Sequence, residues 1–253
     1  MTEQQWYPKT YSRHAAYVSD LGAPLIDMLT LEPESRVLDL GCGDGRLTQK
    51  LIERGLRVTA IDSSAEQVDA AKALGVDARR LDACEMNYES AFDAVFTNAV
   101  LHWITDTSTV LQCVHRSLVS EGQFVGEFGG EGNVYALYST LEKILVSRAY
   151  EAEEFMSPKY FPSAEEFSNK LENNGFEVES IELFERPTPL SGDIANWYQV
   201  FAQKAHARIL ETEWREIMDE IREELRPRLY DRVNSCWTAD YVRLRFSARK
   251  IHP

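Results

Sequence analysis

With 253 residues and a formal net charge of −14, the chain is long enough for one elaborated α/β domain. With no Lys/Arg block it is too acidic to grip a phosphate backbone, so no nucleic-acid partner is expected. Apolar residues make up 44% and aromatics 11%, as in a globular protein with a sizeable core, and no run long enough for a transmembrane helix occurs, so no membrane partner is expected either.

The start, MTEQQWYPKT, lacks the basic and apolar regions of a signal peptide, so the cytoplasm is the expected compartment. Arg36 to Leu40 (RVLDL) reads as a buried strand, followed by a glycine turn and a helix from about Leu47 to Arg54. Arg57 to Asp62 is a second strand, and Ala65 to Leu74 a helix with Ser64 at its N-cap. Ala78 to Asp82 makes a weak third strand and Phe92 to Thr97 a fourth. Thr107 to Leu118 is a helix, and Gly122 to Phe128 a fifth strand. Strands separated by helices of this length imply right-handed crossovers and a parallel sheet.

Farther on the order changes. Tyr135 to Tyr150 and Ser163 to Asn173 read as helices, the second stopped by Asn174-Gly175, and Phe176 to Phe184 alternates as a strand does. Asp193 to Arg228 is helical almost throughout, and Tyr241 to Ile251 alternates like an antiparallel edge strand. The pattern predicts an α/β, Rossmann-like doubly wound fold. Its mostly parallel seven-stranded sheet has an antiparallel last strand, and a helical lid insertion over 188–238 separates the last two strands. Cys42, Cys84, Cys113 and Cys236 are scattered without zinc-like spacing, so reduced thiols and no metal are expected.

The glycines of Gly41-Cys42-Gly43-Asp44-Gly45 follow the first strand, where they let backbone approach a ligand closely. The dinucleotide fingerprint needs a third glycine where Arg46 stands, which disfavours a nicotinamide cofactor. Asp39 lies inside the strand end, and burying its carboxylate is costly unless loop N–H groups or a ligand ammonium supply donors. Asp62 ends the second strand, where a carboxylate can accept both hydroxyls of a ribose or cap a helix. Asp82 ends the third strand, placed either to meet an adenine edge or to make a turn, with Ala83 stacking beside it.

These motifs in order resemble those of class I S-adenosylmethionine-dependent methyltransferases: Asp39-Leu-Gly-Cys-Gly-Asp-Gly, Ile61-Asp62-Ser63-Ser64, Leu81-Asp82-Ala83, and Asn98-Ala-Val-Leu-His102-Trp103. Asn98 to Trp103, Tyr11 to Val18, the late helical insertion and the closing R-L-R-F-type strand resemble the trans-aconitate methyltransferase group. The resemblance, which covers roughly residues 30–130, implies a single class I domain over 1–253 with S-adenosyl-L-methionine as cofactor. It further implies that Asp39, Gly41, Cys42 and Gly43 line the methionine part, and that Asp62 holds the ribose with Ser63 and Gln67 nearby. Asp82 and Ala83 would sit at the adenine, Asn98 and Ala99 beside the sulfonium, and Tyr11 over the cofactor. His102 and Trp103 are candidate substrate contacts, with packing roles as the alternative. Asp44 and the Glu127 to Asn133 segment depart from the group's pattern.

Methyl transfer requires alignment, exclusion of water and, for some nucleophiles, removal of a proton. No catalytic base stands out, which favours a carboxylate acceptor already ionised at neutral pH and held by cations, or an acceptor positioned by proximity alone. The expected function is therefore O-methylation of a small-molecule carboxylic acid. The alternatives are another metabolite, a carrier-bound acyl acid, or a non-catalytic cofactor-binding regulator. The insertion's Lys204, His206, Arg208, Arg215, Arg226, Arg228 and Arg232 read mainly as solvated partners of its glutamates. Trp197 and Phe201, four apart, read as packing onto the sheet domain rather than as a ligand wall.

Overall fold

The computed structural model describes residues 21–251, so Tyr11 and the stretch to Val18 lie outside the described residues. Seven strands form one path: β1 (Arg36–Leu40), β2 (Arg57–Asp62), β3 (Ala78–Arg80), β4 (Phe92–Asn98), β5 (Leu118–Gly129), β6 (Phe176–Pro189) and β8 (Cys236–Lys250). Their order is β3-β2-β1-β4-β5-β8-β6, and the two-residue β7 (Tyr230–Asp231) pairs with β8 alone. β1 to β5 pair in parallel, whereas β8 runs antiparallel to both β5 and β6. The doubly wound sheet expected from the sequence is present, with β7 added to it.

Both faces of the parallel strands are covered, which is why β1 and β4 read as nearly continuous apolar runs. Leu38, Leu40 and Val95 point into one cluster, with Phe124, Phe128 and Phe246. The alternating Val37, Ala94, Phe96 and Val125 point into the other, against Leu25, Leu47 and Leu51. Between the strands run α1 (Arg46–Glu53), α2 (Ala65–Ala73) and α3 (Thr107–Ser117), followed after β5 by α4 (Tyr135–Ser147), α5 (Ala152–Phe155) and α6 (Ala164–Glu172). Ser64 and Ser163 cap α2 and α6, each hydroxyl accepting a first-turn amide. The chain winds outward from β1 to β3 and returns to place β4 beside β1, so the strand order reverses between their C-terminal ends. Ligands bind at such switch points in open α/β sheets.

The structure adds detail to two stretches read from the sequence. The segment Asp193 to Arg228 is helical almost throughout, as expected, in three pieces: α7 (Ile194–Phe201), α8 (Gln203–Arg208) and α9 (Glu211–Leu229). Ala202 and Leu210, whose backbones leave the helical region, break it, and each piece turns its own apolar face into a third core with α4 and β8. β6 runs five residues beyond Phe184, through Pro187 and Pro189. As the last strand in the order it has a free edge, where missing proline N–H groups disturb no ladder. The Glu127 carboxylate, 2% exposed, cross-links this part of the sheet: it accepts two bonds from Arg186 on β6 (2.6 Å each) and two from Arg245 on β8 (2.9 and 2.7 Å).

Candidate active site

The loop after β1 gives its amides to the next strand. Gly41 and Cys42 N–H both donate to the Ile61 carbonyl (2.8 and 3.0 Å). Gly41 has a φ of +79°, and a Cβ there would lie 2.1 Å from Val100, so the turn requires glycine twice over. The Gly43 amide donates to Asp62 Oδ2 (3.0 Å), and the Ser64 amide to Asp62 Oδ1 (2.9 Å), fixing the carboxylate at the end of β2. At the end of β4 the chain turns through Ala99, whose φ of +60° is unusual for a side-chain-bearing residue; its amide donates to the Glu127 carbonyl (2.7 Å).

A cavity of about 340 Å³ opens at this switch point. Gly41, Gly43, Asp62, Ser63 and Gln67 line it from the β1–β2 side, Asp82 and Ala83 from beyond β3, and Asn98 and Ala99 from the end of β4. Asp82 also accepts the Cys84 amide (2.9 Å), so it makes the turn and borders the cavity at once. Cys84, Glu85, Ile104, Thr105 and Asp106 line it as well, and the sequence marks none of them as a site residue. Asp106 carried a signal as the N-cap of α3, its side chain accepting the Thr109 amide.

Asp39 and Cys42 are not among the residues lining this cavity. Asp39, 2% exposed, receives its donor not from the loop but from the Thr48 hydroxyl (2.6 Å) on α1. Burial pushes its carboxyl up to about 7 against the lowering effect of Thr48, and the Asp62 charge adds to the rise. Burial, Asp39 and Asp62 push the Cys42 thiol well up, so it stays a neutral thiol. Asp44 is not directed freely to solvent: it pairs with Arg46 (3.2 Å).

Trp103 and Ala99 are shared with a second, smaller cavity of about 40 Å³. Its walls come from far apart in the chain: His102 after β4, Tyr138 on α4, Lys159 and Phe161 before α6, Trp197 and Phe201 on α7, and Tyr241 and Arg243 on β8. The Tyr160 amide donates to the His102 carbonyl (3.0 Å), bringing Lys159 over the Trp103 ring, with Nζ 4.2 Å from its centroid. Trp197 and Phe201 pack as expected, Trp197 within the core and Phe201 stacked on Trp103 at 6.5 Å, and they also border this small cavity. The insertion cations named from the sequence are absent from both cavities. Among them Lys204 and Arg208 reach the Glu153 and Glu154 carbonyls, and Arg215 pairs with Glu211.

His102, 7% exposed, has its protonation set by its neighbours. Burial pushes its pKa well below the ordinary value, and the charges of Arg243 and Lys159 push the same way. The Gly129 amide donates to Nδ1 (3.2 Å), so in the neutral ring the proton sits on Nε2. Burial, with Lys204, lowers Lys159 to about 8. Among the described residues no group of three His, Cys, Asp or Glu is arranged to hold a metal ion, and no helix is long and apolar enough to cross a membrane.

Comparison with known proteins gives consistent matches. A family profile described as a methyltransferase domain matches residues 38–126. An uncharacterized methyltransferase of Schizosaccharomyces pombe is 36% identical over 267 residues, covering 99% of this chain and 100% of that one. Trans-aconitate 2-methyltransferase of Mycobacterium tuberculosis is 37% identical over 108 residues, only 42% of this chain and 41% of the relative. Among solved structures, phosphoethanolamine N-methyltransferase 2 of Haemonchus contortus, in complex with phosphomonomethylethanolamine and S-adenosylhomocysteine, superimposes with a TM-score of 0.60. The identity there is 16%, covering 97% of this chain and 57% of that one, a likeness of fold.

Proposed function

Because the chain belongs to the class I S-adenosylmethionine-dependent methyltransferases, we propose that it methylates a small-molecule acid on a carboxylate oxygen. When bound, the cofactor supplies an electrophilic methyl group on a sulfonium, which needs only an aligned nucleophile. In this reading Asp62 receives the ribose hydroxyls and the Gly41–Gly43 backbone leaves room for the methionine part. Asp82 and Ala83 take the adenine, and Asn98 and Ala99 border the reacting atoms. Their common place around one 340 Å³ cavity supports the assignment. Asp39 acts from behind the loop, as a buried negative charge favouring the ligand ammonium.

One observation supports the choice of acceptor: the second cavity, which shares Ala99 and Trp103 with the larger one, is lined by Lys159 and Arg243 and, among the described residues, by no carboxylate, which suits an acid. His102 is neutral with Nδ1 occupied by the Gly129 amide and Nε2 protonated, so neither nitrogen offers a lone pair. Burial raises the Tyr138 hydroxyl, which stays protonated, the Tyr241 hydroxyl accepts from Trp197 (2.9 Å), and no carboxylate lines the space. A hydroxyl, amine or carbon nucleophile would need a base at its reacting end, beside the sulfonium. A carboxylate, ordinarily ionised above about pH 4, does not.

Transfer of a tritiated methyl group from the cofactor to a panel of di- and tricarboxylates, phenols and amines tests this. The expected result is label in carboxylate products that is released as methanol by mild base. Base-stable product from phenols or amines instead would rule out the carboxylate reading. Calorimetry tests the cofactor assignment: Asp62→Ala is expected to weaken S-adenosylhomocysteine binding at least about tenfold, from the loss of charge-assisted ribose bonds. Full binding by that variant would remove Asp62 from the ribose site.

A further inference from the structure

The smaller cavity gathers positive charge with nothing of opposite sign among the described residues that line it. Arg243 is only 6% exposed, and its Nε has no hydrogen-bond partner among the described residues. Lys159 Nζ donates to the Ser157 carbonyl (3.2 Å), and no carboxylate lines the cavity. Glu127, the buried acid two residues before Gly129 on the neighbouring strand, is already taken by Arg186 and Arg245. The Trp103 and Tyr241 rings offset part of the cost, lying 4.2 Å from Lys159 Nζ and 4.7 Å from the Arg243 guanidinium carbon. Ring faces attract a cation but leave a buried, correctly directed N–H unmet, and such groups are paired in folded proteins.

The space itself limits what can complete the set. At about 40 Å³ it has room for roughly three waters, the bulk of one carboxylate. Ala99 and Trp103 border both cavities, so a molecule whose anionic end sits here extends toward the end of β4. We propose that the smaller cavity is the seat for the non-reacting anionic end of the acceptor, held between Arg243 and Lys159, with His102 Nε2–H as a further donor. A carboxylate engaged by two cations is a poor nucleophile, so the group gripped here anchors the molecule and a second group receives the methyl. The inference rests on the reading of the acceptor as a small acid, yet the seat can be tested without turnover.

The full chain saturated with S-adenosylhomocysteine is titrated calorimetrically with trans-aconitate, citrate, glutarate and, as a monoacid, butyrate. At least one of the polyacids is expected to bind, with butyrate weaker. Lys159→Met and Arg243→Gln are each expected to weaken that binding about tenfold or more, at unchanged S-adenosylhomocysteine affinity, and Arg243→Lys to recover part of it. Arg243 is buried, so its variants count only where S-adenosylhomocysteine still binds; the half-buried Lys159 supplies the independent test. Equal acid affinity in the wild type and Lys159→Met overturns the seat, as does failure of all four acids to bind the wild type. Failure of the carboxylate-methylation reading looks different: the acids bind and respond to the variants, but no base-labile methyl appears.

Discussion

Asp39 sits at the end of β1 with a single hydroxyl, that of Thr48, as its donor. Burial raises its carboxyl to about 7 from an ordinary value of 3.8. Between about pH 4 and 7 the folded chain therefore keeps a proton that the unfolded chain has released, and stability falls as pH rises through that window. At about 1.4 kcal/mol per pH unit the displacement amounts to about 4 kcal/mol, fully lost above pH 7. Asp39→Asn keeps an acceptor for Thr48 and has no charge to bury. Its stability relative to the wild type is expected to rise from pH 5 to pH 8 in urea denaturation without ligand. A difference that does not change with pH would show that Asp39 ionises freely. This cost of burial in the unliganded protein is relieved by a cation, and the proposed ligand ammonium is one.

The elements of the insertion are held by burial more than by ion pairs. Along α9, Trp214, Ile217, Met218, Ile221 and Leu225 form one buried stripe, while Arg148 and Lys143 on the α4 side reach its glutamates at the surface. Exposed pairs of that kind contribute little. Ile221, 0% exposed, contributes most through packing, and Ile221→Ala is expected to cost about 2–5 kcal/mol in urea unfolding. Because the stripe lies away from the residues lining the larger cavity, S-adenosylhomocysteine affinity is expected to stay unchanged; loss of both together would mean that insertion and sheet core are coupled. How far elements were legible in the sequence follows the same division. Glycine turns, serine caps and apolar runs are local signals that mark β1 to β5, their helices, and the Gly41, Asp62 and Asp82 positions of the larger cavity, whereas Ser63, Gln67, Asn98 and Ala99 there follow only from the resemblance to a known family. Lys159, Arg243, Tyr138 and Phe161 carry no local mark, because they meet only after α4, α7, β8 and the segment before α6 pack together. The break of the long helical stretch at Ala202 and Leu210 was hidden too, since tertiary packing sets the change of direction and helix propensity runs across it.

At the scale of the whole molecule, a net charge of −14 surrounds a small interior space bearing Arg243 and Lys159. The charge balance of the surface and that of the proposed acceptor seat are thus opposite in sign, which total composition could not reveal. Ligand binding to the larger cavity is expected to stabilise the entire fold, because the cavity joins strands β1, β2 and β4. At S-adenosylhomocysteine concentrations near 100 times its dissociation constant, the gain is about 2.7 kcal/mol, or roughly 5–10 °C in Tm by differential scanning calorimetry. No rise in Tm would argue that the ligand does not bind the folded chain.

Trp103 separates the two cavities while touching both. A wall held in common makes the two occupants thermodynamic neighbours: a position of the indole set by one ligand is the position the other must meet, and whatever coupling results is shared by both. If the acid tightens the hold on the methyl donor by some factor, the donor tightens the hold on the acid by that same factor. The same reciprocity holds for the products: where they bind cooperatively, departure of either one weakens the hold on its companion.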